Sequence, residues 1–135
     1  MMMFHRSLVL ITGILCLSVA HSQTVETRAI SVDQLHHKII SDSTLVILDV
    51  RTPEELTGPL GKLDIVINIP LQELENRLSE LEKYRNQEID VICKIGKRSA
   101  AATDFLIQKG FNAVNVQGGM VEYRAKISNN NDSKE

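Results

Sequence analysis

Four short, largely apolar runs constrain this chain more than any other feature: Leu45–Leu48, Ile65–Ile69, Ile89–Ile92 and Ala113–Val116. Leu45–Leu48 is continuous and reads as a strand buried on both faces, and the other three read as short strands. Between them lie stretches with helical spacing. Strands that alternate with helices imply an α/β chain with a parallel sheet and helices on both sides. In such sheets ligands bind beyond the carboxyl ends of the strands.

The intervening segments carry recognisable helix signals. Ser31 is a candidate N-cap ahead of Val32, Leu35, Ile39 and Ile40. Thr52-Pro53-Glu54-Glu55 has a cap, a proline in the first position and acids in the first turn. Leu71, Leu74, Leu78 and Leu81 form one apolar helical stripe, and Gly58-Pro59-Leu60-Gly61 is a turn. Ser99–Lys109 reads as a helix with Ala101, Ala102, Phe105 and Leu106 facing inward, stopped by Gly110.

The chain ends are read differently. Residues 1–22 have the form of a secretory signal peptide: a positive start at His5 and Arg6, an apolar run over Leu8–Val19, and small residues in Ala20-His21-Ser22. The run falls short of the roughly 20 residues a membrane span requires, so the expected location is periplasmic or secreted, without stable membrane insertion after cleavage. Residues 23–28 read as a flexible lead-in, 29–127 as one domain, and 128–135 as a disordered polar tail. Cleavage removes Cys16 and leaves Cys93 as the single thiol. Of 135 residues, 43% are hydrophobic and 24% charged, which fits one globular domain. With 15 basic against 17 acidic residues, 4% aromatics and no Trp, the chain lacks the footprint of a nucleic-acid binder. No cysteine or histidine pair has metal-ligand spacing, and no cofactor is expected. His36-His37 reads as a solvated pair and Met120 as a packing residue.

The chemistry concentrates in Cys93-Lys94-Ile95-Gly96-Lys97-Arg98-Ser99. A cysteine ends a strand, a short loop with a glycine follows, and a helix begins near Ser99. Successive backbone N–H groups of such a loop can converge on one centre, and the helix N-terminus adds positive potential there. Lys94, Lys97 and Arg98 add full charges. Each contribution favours thiolate over thiol, so a lowered Cys93 pKa is expected, with residues 94–99 cradling an anionic substrate. A buried, inert cysteine beside solvated lysines is the plainer reading, and the glycine, the cations and the helix start weigh against it.

In this loop and in several spaced segments the chain resembles the rhodanese (sulfurtransferase) family. Leu48-Asp49-Val50-Arg51 with Pro53-Glu54-Glu55-Leu56 resembles its first signature. Gly58–Gly61 and Ile67-Asn68-Ile69-Pro70-Leu71 resemble the segment that follows. Cys93–Ser99 matches the family's C-x-x-G-x-R-S loop, and Gly110-Phe111 with Val116-Gln117-Gly118-Gly119-Met120 resembles its end. The resemblance implies a single domain with a mostly parallel central sheet of about five strands flanked by helices on both faces. It also implies a sulfurtransferase: Cys93 takes a sulfane sulfur from a donor such as thiosulfate and passes it to a thiol, cyanide or a protein acceptor. Arg98 would brace the loop or meet the donor's sulfonate. Asp49 and Arg51 read as loop-supporting charges or, equally, as a surface ion pair.

Two rivals stay open. One is a partner-dependent carrier or binding module without free turnover. The other is a cysteine phosphatase or arsenate reductase, whose C-x5-R loop is one residue longer than the spacing from Cys93 to Arg98. A redox role is disfavoured because no second cysteine remains to resolve an oxidised one. The chain departs from the family at Lys62-Leu63-Asp64-Ile65-Val66, where a His-Ile-Pro-Gly-Ala stretch is common, at Lys94-Ile95, and at Tyr123, where Trp is frequent.

Overall fold

The computed structural model describes residues 28–132, with side chains through Ile127. The segment expected to be a signal peptide and most of the lead-in lie outside the described residues. The elements run β1 (Ala29–Ile30), α1 (Val32–Ser41), β2 (Val46–Asp49), α2 (Pro53–Leu56), β3 (Val66–Asn68), β4 (Glu88–Ile92), α3 (Lys97–Gln108), β5 (Asn112–Val116) and α4 (Gly119–Asp132). Two 3-10 segments, Leu71–Glu73 and Leu78–Tyr84, bridge β3 and β4.

The strands form one five-stranded sheet in the order β1-β5-β4-β2-β3, and every pairing is parallel. The central strands β2 and β4 are the apolar runs seen in the sequence, extended by Asp49 and by Glu88. Side chains alternate across the sheet. Val46, Leu48, Val50, Ile89, Val91 and Cys93 join Ala102 and Leu106 of α3 and Leu74 and Leu81 of the 3-10 segments in one core. Ile47, Ile92 and Val116 join Val32 and Leu35 of α1 and Met120 and Tyr123 of α4 in the other. The unbroken run Leu45–Leu48 thus gives β2 its burial on both faces, whereas β4 and β5 also bury Asp90 and Asn115, and edge strand β3 is half-buried.

Several local expectations are corrected. The Leu71–Leu81 stripe is not one helix: its two three-residue steps, 71 to 74 and 78 to 81, also suit the 3-10 repeat. The chain breaks at Arg77 (φ −111°, ψ 13°), whose guanidinium ties Glu73 to Glu80 across the break. α3 starts at Lys97, two residues early, with Gly96 (φ 96°) as its N-cap. That phase exposes Ala101 and buries Thr103 in its place. The short strand β1 and helix α4 carried no clear signal, and α4 continues to Asp132, into the tail expected to be irregular. His36 is half-buried: its Nδ1 lies 3.1 Å from the Tyr123 hydroxyl, while His37 is exposed. Around the unusual Lys62–Val66 stretch, Arg124 donates to Leu60 O and Lys62 O at 2.8 Å each, and Arg51 donates to Gly61 O at 2.8 Å.

Candidate active site

Cys93 follows the last residue of central strand β4, and its side chain is 1% exposed. Its Sγ accepts a hydrogen bond from Gly96 N–H at 3.1 Å and lies 3.3 Å from Ser99 Oγ. Ser99 is therefore not merely the start of a helix. It sits inside the first turn of α3, fully buried, facing the sulfur. Its single hydroxyl proton has two destinations, because Oγ is also 3.1 Å from Gly96 O. Beside a thiol it can serve the carbonyl; beside a thiolate it donates to sulfur.

Burial pushes the Cys93 thiol up. The Ser99 hydroxyl and the backbone N–H groups of Ser99, Gly96 and Ile95 outweigh it, so the net direction is down. A nest of amides at a helix N-terminus is the physical source of that stabilisation. Lys94, Ile95 and Lys97 are exposed on the outside of the loop. The expected convergence of three cations is thus only partly met. Arg98 donates to both Glu55 carboxylate oxygens, at 2.7 and 2.6 Å. Glu55 in turn accepts from Thr52 N–H at 3.0 Å, closing a capping box on α2. Arg98 holds the Glu55 carboxyl down to about 2, burial opposing, and the pair raises Arg98 further. The Arg98 side chain thus braces the loop against α2, and its fork is occupied. The sequence reading missed Glu55 as a site residue, although its place three positions after Thr52 is a capping-box signature.

Asp49 and Arg51 form a buried pair, which closes the surface-pair alternative: both residues are 0% exposed. Arg51 donates from Nε and Nη2 to the Asp49 carboxylate (3.0 and 2.7 Å), and it also reaches Gly61 O. Asn68, which the sequence did not single out as a site residue, donates to Asp49 O and Arg51 O.

The floor of the loop comes from α4. Met120 N–H donates to Cys93 O at 2.9 Å and Val121 N–H to Lys94 O at 3.0 Å, so the first amides of α4 hold the two peptide units that follow the nucleophile. This contact explains Gly119. At Gly119 (φ 59°) a Cβ would stand 2.6 Å from Cys93 O and from Lys94 C. Only glycine allows the two backbones so close. Among the described residues no group of His, Cys, Asp or Glu is arranged to hold a metal ion.

The chain matches the model of the rhodanese-like domain over residues 31–126. It belongs to the rhodanese-like domain family. YtwF of Bacillus subtilis, a candidate sulfurtransferase, is 31% identical over 107 residues, covering 79% of this chain and all of that protein. YrkF of the same organism, a candidate sulfur carrier protein, is 40% identical over 98 residues, which are 72% of this chain and 51% of that one. The crystal structure of a rhodanese-related protein from Thermoplasma volcanium superposes with a TM-score of 0.65 at 39% identity, over 73% of this chain and 92% of that one. The all-parallel five-stranded domain of this chain shares its fold with that rhodanese-related protein.

Proposed function

We propose that this rhodanese-like domain transfers sulfane sulfur through a persulfide on Cys93. The observation that carries the proposal is the buried Sγ, which faces the Gly96 amide and the Ser99 hydroxyl at the mouth of α3. In the first step the Cys93 thiolate attacks the outer sulfur of a donor such as thiosulfate. The donor's S–S bond breaks, and its electron pair leaves with sulfite. In the second step an acceptor attacks the terminal sulfur of the persulfide, and Cys93 leaves as thiolate. Cyanide as acceptor gives thiocyanate. The loop amides of residues 94–99 stabilise the anion in both steps, and Lys94 and Lys97 supply its positive field.

Arg98 and the Asp49–Arg51 pair act by positioning, because their charges are already paired with Glu55 and with each other. This also counts against phosphatase chemistry, in which an arginine must be free to meet a phosphate. Export to the periplasm or medium is part of the proposal and rests on the signal-like segment at residues 1–22.

A specific observation favours a second reading, the partner-dependent carrier. Cys93 is 1% exposed, whereas Ile95 beside it is 54% exposed and Val121 43%, an apolar rim suited to a protein partner. The test is thiocyanate formation from thiosulfate and cyanide. The proposal expects saturable turnover that Cys93→Ser abolishes. Absent turnover of thiosulfate and of inorganic polysulfide, with the protein folded, would contradict it.

A further inference from the structure

A buried sulfur and an exposed apolar rim meet at the mouth of the Cys93 loop. Sγ is buried, with the amides of Ile95 and Gly96 turned toward it. The side chain of that same Ile95 is exposed. Val121 N–H donates to Lys94 O, so the exposed Val121 side chain is anchored to the residue between Cys93 and Ile95. Among the described residues the large apolar side chains left exposed are Ile40, Ile65, Ile95 and Val121, and only the last two belong to the loop or its floor. Apolar side chains scattered singly over a surface are ordinary, whereas two tied to one nucleophile point to a contact.

Burial of Sγ divides a sulfur donor into two parts. Only the outer sulfur can enter the cradle of amides, and the group it leaves behind begins one S–S bond, about 2 Å, farther out. That group therefore lies at the rim. In thiosulfate it is sulfite, an anion of oxygens that a guanidinium fork would suit best. Arg98 and Arg51, the arginines beside the loop, have their forks on Glu55 and on Asp49. The rim offers instead a diffuse positive field from exposed Lys94 and Lys97, together with the apolar surface of Ile95 and Val121. Such a rim fits a leaving group with a single negative charge and a hydrocarbon body better than it fits sulfite.

We propose that Ile95, supported by Val121, sets donor specificity, and that the preferred donor is an organic thiosulfonate, R–SO2–S⁻, with an apolar R. This rests on the sulfurtransfer reading above. The Cys93 thiolate attacks the outer sulfur of R–SO2–S⁻. The S–S bond breaks and its electron pair leaves on the sulfinate, R–SO2⁻, while Cys93 keeps the outer sulfur as Cys93–S–S⁻. Negative charge is conserved, no proton moves, and no further oxidant or reductant is consumed. R lies against Ile95 and Val121, and the sulfinate oxygens sit in the field of Lys94 and Lys97.

The test follows loading as cyanide-labile sulfur on desalted protein, with methanethiosulfonate, butanethiosulfonate and thiosulfate as donors. Each rate constant is divided by that of the same donor with a small free thiol at the same pH, which removes intrinsic reactivity. The two thiosulfonates share their leaving chemistry and differ only in the methylenes of R. With about half of those methylenes' surface covered by the rim, butanethiosulfonate is expected to load about tenfold faster than methanethiosulfonate. It is also expected to load faster than thiosulfate. Ile95→Ser is expected to bring the butane-to-methane ratio below about threefold and Ile95→Leu to keep it, with Val121→Ser lowering it by a smaller factor. A ratio near one on the unsubstituted protein, or a ratio that Ile95→Ser leaves intact, would overturn the donor specificity and leave the rim to a protein partner. Failure of every donor to load cyanide-labile sulfur on folded protein would instead remove the sulfurtransfer reading itself.

Discussion

Ser99 carries a proton that can serve either Gly96 O or the Cys93 sulfur, and this choice is what couples the loop to the charge state of the thiol. A hydrogen bond to a charged acceptor contributes about 1.5 kcal/mol or more. Ser99→Ala is therefore expected to raise the midpoint of the pH profile for Cys93 alkylation. It should slow alkylation by iodoacetamide near neutral pH by about tenfold, since about 1.4 kcal/mol is a factor of ten. The rate at high pH, where the thiol is fully ionised in both proteins, should not change. An unmoved midpoint would mean that the amides alone set the thiolate. Glu55 belongs to the same scale. Its carboxyl is lowered from 4.5 to about 2, chiefly by Arg98. A depressed carboxyl stabilises the fold above its unfolded pKa and loses that contribution as pH falls through the folded one. The brace should thus be whole above about pH 4.5 and released toward pH 2, and Glu55→Gln should remove the acid-dependent part of unfolding monitored over that window.

Two helix N-termini converge on the loop, and they do different things. α3 points its first turn at the sulfur, whereas α4 gives its first amides to the carbonyls of Cys93 and Lys94. Gly119→Ala tests the second contact. A left-handed backbone at a non-glycine residue costs about 1–3 kcal/mol, and here the added Cβ meets backbone rather than a flexible side chain. The variant is expected to lose at least that much stability in urea unfolding and most of its sulfur transfer. Little change in either would contradict the role given to α4. This element also marks the boundary of what could be read from sequence. β2 was legible because burial on both faces forces an unbroken apolar run, and Cys93 was legible because a strand end, a glycine and a helix start stand together. α4 was not: its residues mix Glu122, Arg124 and Lys126 with Val121 and Tyr123 and lack a strong apolar stripe. The two-residue strand β1 is too short for any period. The Arg98–Glu55 brace spans 43 positions in sequence, so only the folded chain shows that the arginine is taken.

Across the whole molecule, the face of the sheet opposite Cys93 has its own charged centre. Asp90 in mid-β4 is fully buried, and Lys38 of α1 reaches both its carboxylate and Glu88. Burial pushes Asp90 up despite Lys38, while both acids hold Lys38 up against its own burial. The pair therefore fixes α1 against β4 at a net cost borne by the aspartate. Removing one partner of a buried pair costs about 3–5 kcal/mol, reduced here because Lys38 is partly open to solvent. Lys38→Met is expected to destabilise the domain by about 2 kcal/mol, and Asp90→Asn by less, because it removes the charge that burial disfavours; thermal unfolding of both variants orders them. The same sheet holds the two faces apart, so neither substitution should change Cys93 alkylation. The central claim is that Cys93 carries sulfur, and the most direct measurement is the intact mass of the protein after incubation with thiosulfate, before and after cyanide. A gain of one sulfur on the unsubstituted protein, absent from Cys93→Ser and released by cyanide as thiocyanate, is the expected result. A gain that cyanide does not remove, or no gain from any sulfane donor, would contradict it.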